Sequence, residues 1–77
     1  MKHGVILFST TSSVMQAEKI LLKAGFVIKL IPTPREFSAD CGISIRFEWE
    51  NYEKLVLSLE KEEVNYEAIL PRAVNGI

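Results

Sequence analysis

The hydrophobic pattern of the chain changes its period several times, and each change marks a new element. Residues 4–8 and 26–31 are compact apolar runs, and the second run is β-branched and ends at a proline. Residues 43–47 alternate between apolar and polar side chains, and residues 64–70 alternate again before another proline. Such runs are typical of β-strands, and proline is expected at their ends because it cannot donate a ladder hydrogen bond. The pattern therefore predicts four strands.

Two amphipathic helices are predicted between these strands. In each helix, apolar side chains recur three or four residues apart while charged side chains lie outside the stripe. Ser13 and Gln16 have capping-box spacing at the start of the first helix, and Gly25 is expected just after its end. The stripes are Val14, Ala17, Leu21 and Ala24 in the first helix, and Tyr52, Leu55, Val56 and Leu59 in the second.

The resulting order, βαββαβ, predicts an α+β ferredoxin-like sandwich. Right-handed crossovers place both helices on one face of a four-stranded antiparallel sheet. A single domain is expected over residues 1–71, with residues 72–77 as a loose C-terminal tail. Because this fold serves RNA binders, metal carriers, sensors and enzymes alike, function has to be inferred from particular residues.

Composition and charge exclude several classes of function. The 77 residues are 48% hydrophobic, and nine basic against ten acidic residues give a net charge of −1. A nucleic-acid partner normally requires a basic surplus, and Ile43, Ile45 and Phe47 are expected to face the helices instead of stacking on bases. No apolar run approaches the length of a membrane span or a secretory signal. We therefore expect a cytoplasmic protein that binds neither nucleic acid nor membranes.

Cys41 is the only cysteine, and it lies in the least regular part of the chain. The segment 32–42 joins two predicted strands but exceeds the usual connection of about 4–6 residues. A single cysteine cannot form an internal disulfide, and with the distant His3, most simply a solvated residue, it cannot complete a metal site. We therefore expect no metal and no cofactor. Taken alone, a free cysteine is more often a buried apolar side chain than a reactive one.

The neighbours of Cys41 favour the reactive interpretation. Pro32 and Pro34 stiffen the start of the loop, and would hold an exposed thiol in place at low entropic cost. Asp40 and Gly42 flank the cysteine, and such residues are uncommon beside a core position. Glycine also permits close approach by another molecule.

Charged side chains near the cysteine could either favour or oppose ionisation of its thiol. Arg35 and Arg46 are candidate cations that would favour a thiolate, whereas Glu36 and Asp40 would oppose ionisation. Either pair could lie closer to the sulfur, and Arg35 with Glu36 could equally be a solvated surface pair.

Three segments of the chain together resemble a known family. They are residues 5–8, the helical segment 17–25 and, above all, a motif in which a proline pair, Arg-Glu, Ser and Cys-Gly stand at fixed offsets. The motif positions are Pro32, Pro34, Arg35, Glu36, Ser38, Cys41, Gly42, Ser44, Ile45, Arg46 and Phe47. In these segments, and over roughly residues 4–70, the chain is similar to the putative selenium/sulfur carrier protein-like family of small stand-alone domains.

The resemblance implies that Cys41, which matches the family's cysteine, holds sulfur or selenium. Under this hypothesis Cys41 receives a persulfide or selenosulfide from a donor protein and passes it to an acceptor protein, so that the chain is a carrier more than a true enzyme. Arg35 or Arg46 would stabilise the anion, Gly42 would donate a backbone N–H or give partners access, and Ser38 would donate a hydrogen bond.

Two alternatives make Cys41 a structural residue. In the first, the chain is an interaction module that forms a homodimer through the open sheet face. That face is expected to hold Val27, Ile31 and Ile69 beside Lys29, Ser44, Arg46 and Glu67. In the second, the chain is a small-molecule regulatory module whose ligand stabilises it independently of Cys41.

Overall fold

The structure is a computed structural model that describes residues 2–37 and 41–73. Strand β1 covers Lys2–Leu7, helix α1 covers Thr11–Lys23, β2 covers Ile28–Pro32 and β3 covers Ile43–Glu48. A 3-10 turn over Trp49–Asn51 leads into α2, which covers Tyr52–Lys61, and β4 covers Ala68–Ala73. The strands form one antiparallel sheet in the order β2-β3-β1-β4. The predicted α+β ferredoxin-like fold is confirmed.

Several element ends differ from the sequence-based prediction. The N-cap of α1 is Thr10, whose side chain accepts a hydrogen bond from the backbone N–H of Ser13, so the predicted capping box at Ser13 is wrong. Strand β4 starts later than predicted and continues through Pro71 to Ala73. A proline is tolerated there because β4 is an edge strand and lacks ladder hydrogen bonds on one side.

Both helices end in a Schellman motif, in which a residue with positive φ closes the last turn. That residue is Gly25 after α1, with φ of 92°, as predicted, and Glu63 after α2, with φ of 56°. The backbone N–H groups of Gly25 and Phe26 donate to the carbonyls of Leu22 and Leu21. The chain thereby leaves each helix in a fixed direction and returns to the sheet.

The hydrophobic core lies between the helices and one face of the sheet. Val14, Ala17 and Leu21 of the predicted α1 stripe are buried, whereas Ala24 is the exposed C-cap residue. The core cluster consists of Ile6, Phe8, Val14, Ala17, Leu21, Cys41, Ile45, Phe47, Leu55, Leu59 and Val64. Removal of this apolar surface from water is the main term that stabilises the fold.

Gly4 lies in β1 directly beneath an aromatic cluster. Its cross-strand partner is Phe47, whose ring stacks on Trp49 with centroids 5.9 Å apart. The Trp49 ring in turn lies 4.7 Å from that of Tyr52. A Cβ atom at position 4 would overlap the Phe47 ring and lie 2.7 Å from Cε3 of Trp49. The close approach of the rings therefore requires glycine at this position.

The sheet face opposite the helices is less open than predicted. Val5, Leu7 and Ser44 project from this face by strand alternation, yet all three are buried. Ile69 was expected on the same face, but it pairs with Ile6 and packs against the core, so that prediction is wrong. Val27, by contrast, is 75% exposed.

Candidate functional site

Cys41 precedes β3 at the end of the β2–β3 loop, and its side chain is only 5% exposed. It belongs to the core cluster, among side chains from β1 and α1. Its free thiol is therefore a buried one in this state of the protein. The sequence placed this residue in an exposed loop, and the structure shows that its side chain points back into the core.

Backbone hydrogen bonds fix Cys41 against two neighbouring segments. Its N–H donates to the carbonyl of Phe8, at 3.3 Å, just after β1. Its carbonyl accepts from the hydroxyl of Thr33, at 2.9 Å, and the N–H of Thr33 donates to the carbonyl of Gly42, at 3.0 Å. Both ends of the loop are thus bonded to each other and to the end of β1.

Thr33 also satisfies a buried hydroxyl. Its Oγ1 lies 2.7 Å from Oγ of Ser44, which is 0% exposed. Because the single hydroxyl proton of Thr33 is directed to Cys41, Ser44 is the donor in this second bond. Thr33 therefore bridges the Cys41 carbonyl and the Ser44 hydroxyl of β3.

Substitution Thr33→Val should lower the free energy of unfolding by about 2 kcal/mol. The change preserves the shape of the side chain but leaves the Cys41 carbonyl and the Ser44 hydroxyl without their partner, and an unsatisfied buried polar group costs about 1–3 kcal/mol. Equilibrium denaturation in urea measures the difference. Thr33→Ser retains the hydroxyl and serves as the matched control, with a loss of less than about 1 kcal/mol. Equal stability of the valine variant and the parent would contradict this role of Thr33.

The sulfur of Cys41 lies at the N-terminal end of α1. Its Sγ is 3.9 Å from Oγ1 of Thr11, the first residue of the helix, and either atom can be the donor. The N-terminal end of a helix carries unpaired N–H groups and the positive end of the helix dipole, and both favour a negative charge close by. No acidic residue occupies the first turn of α1.

The start of the loop forms a tight turn. The N–H of Phe37 donates to the carbonyl of Pro34, which is buried, and this bond places Arg35 and Glu36 at the exposed centre of the turn. Two predicted residues of the loop, Ser38 and Asp40, lie outside the described residues.

Arg46 is separated from the thiol by the sheet. It lies between Ile45 and Phe47, which both face the core, so alternation along β3 directs Arg46 to the opposite face. There it pairs with Val5 and Lys29. Among the described residues, Thr11 is the side chain within hydrogen-bonding distance of the Cys41 sulfur, and neither Arg35 nor Arg46 is bonded to it.

Pro32 and Gly42 line a shallow apolar cavity beside the cysteine. The cavity holds about 300 Å³ and is completed by Leu30, Ile31 and Ile43 at the edge of the sheet. A Cβ added to Gly42 would meet no atom within 4 Å, and its φ is not positive, so the backbone does not require glycine here. Without a side chain, Gly42 leaves the surface next to Cys41 open.

Sequence reasoning missed Thr11 and Thr33. Thr11 belongs to a Ser/Thr cluster that was considered only for helix capping, and its approach to Cys41 depends on where α1 begins. Thr33 lies between two prolines of the motif. A hydroxyl at such a constrained position could have indicated a structural hydrogen bond.

Two kinds of feature are absent from the described residues. In residues 2–37 and 41–73, no group of three or more His, Cys, Asp or Glu side chains could hold a metal ion. No helix in this same part of the chain is long and apolar enough to cross a membrane.

Comparison with known proteins identifies a family for this chain. Neither a search of curated proteins nor a search of solved structures found a similar protein. The family described as putative Se/S carrier protein-like matches residues 3–71, which includes the whole β2–β3 loop and Cys41. Because this match spans most of the 77 residues, the chain belongs to the putative Se/S carrier protein-like family.

Proposed function

We propose that the protein carries sulfur or selenium on Cys41 between a donor protein and an acceptor protein. The observation that carries the proposal is the position of the single thiol at the N-terminal turn of α1, 3.9 Å from the Thr11 hydroxyl. A persulfide anion at this position would receive a hydrogen bond and the positive end of the helix dipole. Family membership supports the same chemistry.

The loading step is a thiol displacement. The thiolate of Cys41 attacks the outer sulfur of a donor persulfide, R–S–SH, and forms the new bond of Cys41–S–SH. The donor S–S bond breaks, its electron pair leaves with the donor sulfur as R–S⁻, and that thiolate takes up the proton released by Cys41. A thiolate or other nucleophile of the acceptor then removes the outer atom and regenerates Cys41. A donor R–S–SeH would deliver selenium through the same steps.

Partners have to reach a buried sulfur. The loop that carries Cys41 is held by the Phe8 and Thr33 hydrogen bonds, and their local opening would expose the thiol while the core stays folded. The apolar cavity beside Gly42 gives a donor or acceptor a surface next to this loop. Arg35, at the exposed centre of the turn, is the cation we assign to the anion once it leaves the core. Arg46, on the opposite face, is assigned no part in this step.

Mass spectrometry of the intact protein tests the proposal. Incubation with a small-molecule persulfide should add one sulfur atom to the parent protein, and a reductant should remove it. Cys41→Ser removes the only thiol of the chain and should abolish the addition. An adduct that persists in the serine variant, or one that never forms in the folded parent, would contradict the carrier function. The proposal also fits a reducing compartment such as the cytoplasm, where a single thiol stays free.

The burial of Cys41 favours a second candidate function. A thiol that is 5% exposed within an apolar cluster is typical of a structural cysteine. Under this alternative the chain is a non-catalytic interaction or small-molecule regulatory module. A homodimer through the sheet face opposite the helices would then be measured by sedimentation, and it should persist in Cys41→Ser.

A further inference from the structure

A small cavity opens on the sheet face opposite the helices, at the end of the β2–β3 pair away from Cys41. It holds about 180 Å³, and its ionisable side chains are His3, Lys29, Arg46 and Glu48. A water molecule occupies about 30 Å³ of liquid, so the cavity has room for a tetrahedral oxoanion with some of its hydration shell. The carrier chemistry proposed for Cys41 does not use this cavity.

Two positive charges face each other across this cavity. Lys29 and Arg46 are direct cross-strand partners on β2 and β3 and project from the same face. Like charges directly opposite each other in a sheet are destabilising. Among the described residues, neither side chain has a carboxylate within ion-pair distance, and the ion pair on this face joins His3 and Glu48. Lys29 is exposed and Arg46 is half-buried, and an anion bound between them would offset this repulsion.

The cavity also contains one carboxylate, that of Glu48, which makes its ion pair with His3 and not with either cation. The Glu48 carboxylate is held by Nε2 of His3 at 3.0 Å. The Nδ1 atom of the same imidazole is buried and has no hydrogen-bond partner among the described residues. The Arg46 guanidinium offers a planar set of N–H donors that matches the oxygen atoms of an oxoanion, and the Lys29 ammonium adds a mobile charge.

We propose that this cavity binds a small divalent oxoanion, of the sulfate or phosphate type, between Lys29 and Arg46. The bound anion accepts hydrogen bonds from both side chains and removes their mutual repulsion, so it stabilises the folded protein. Anion binding at this site does not involve Cys41, so it can be tested separately from the carrier function.

Thermal unfolding with defined anions tests the proposal. Sodium sulfate or phosphate at about 10 mM is compared with sodium chloride of equal ionic strength, at low total salt so that screening stays weak. If the dissociation constant is about 1 mM, the Tm of the parent should rise by roughly 7 °C. Amide chemical shifts on titration should move first at Lys29, Arg46 and their strand neighbours. Cys41→Ser should respond as the parent does.

Charge-removing variants locate the site. Lys29→Gln and Arg46→Gln should each lose most of the anion-specific rise in Tm, and in chloride they should be at least as stable as the parent, because the repulsion is gone. Lys54→Gln removes an exposed charge on α2 outside the cavity, and it should keep the full response.

Two results would overturn the proposal. The first is a rise in Tm of equal size in the parent and in Lys29→Gln, which would indicate a general salting effect of the anion. The second is Lys29-dependent binding of a glutamate-rich peptide with no response to sulfate or phosphate. That outcome would assign the two cations to the docking of an acidic protein segment instead.

Discussion

Substitution Gly4→Ala should lower the free energy of unfolding by about 3 kcal/mol, which corresponds to a fall in Tm of roughly 15 °C for a domain of this size. The added methyl group would overlap the Phe47 ring and approach Cε3 of Trp49 to 2.7 Å. Both rings are packed, Phe47 in the core and Trp49 against it, so neither can move aside without cost. Denaturation in urea, followed by Trp49 fluorescence and circular dichroism, measures the loss.

Gly42→Ala is the matched control for this prediction. A Cβ at position 42 meets no atom within 4 Å, and the stability change should stay within about 0.5 kcal/mol. The double variant Gly4→Ala with Phe47→Leu should lose less stability than the sum of the two single variants, because a smaller side chain makes room for the methyl group. A Gly4→Ala protein as stable as the parent would show that the aromatic cluster does not close over β1 as described.

The thiol of Cys41 should react roughly 100-fold more slowly with a thiol reagent in the native protein than in the unfolded chain. Its side chain is 5% exposed, and a reagent reaches the sulfur only through an opening of the loop. A factor of 100 corresponds to an opening free energy of about 3 kcal/mol, which lies between that of a mobile loop and that of global unfolding. Absorbance of the released chromophore gives both rates.

Ser12→Cys in the Cys41→Ser background supplies an exposed control thiol on the first turn of α1. It should react at the same rate in the native and the unfolded protein, within a few fold. If native Cys41 reacts as fast as this control, the burial of its side chain is contradicted.

The denaturant dependence of the native rate separates the two candidate functions. Local opening of the β2–β3 loop exposes little surface, so the rate should hardly change at low urea, and the carrier function is favoured. If the rate instead follows global stability, Cys41 is reached only by unfolding. The structural interpretation would then replace the carrier.

The order and type of the elements could be predicted because they depend on local pattern. The alternation at residues 43–47 and the stripe of Val14, Ala17 and Leu21 follow directly from which face of a strand or helix is buried. The exact ends could not be predicted in the same way. The five Ser/Thr residues at 9–13 are all candidate N-caps, and the choice of Thr10 depends on where the chain leaves β1. The tolerance of Pro71 depends on β4 being an edge strand.

For the candidate site, the sequence by itself determined which residue is the candidate. A single cysteine in a proline-bounded motif, within a segment matched by one family, requires no coordinates to be singled out. The sequence also determined the βαββαβ order, since each element has its own hydrophobic period.

Only the tertiary structure decided what surrounds that cysteine. In the folded protein the Cys41 side chain lies in the core beside Thr11, and its carbonyl accepts a hydrogen bond from Thr33. Arg46 lies on the opposite face of the sheet beside Lys29. These contacts join residues that are distant in the chain or lie on different strands, and they depend on the sheet register and on the direction in which the loop returns. Neither is encoded in a local pattern, because a shift of one residue in a strand exchanges its two faces.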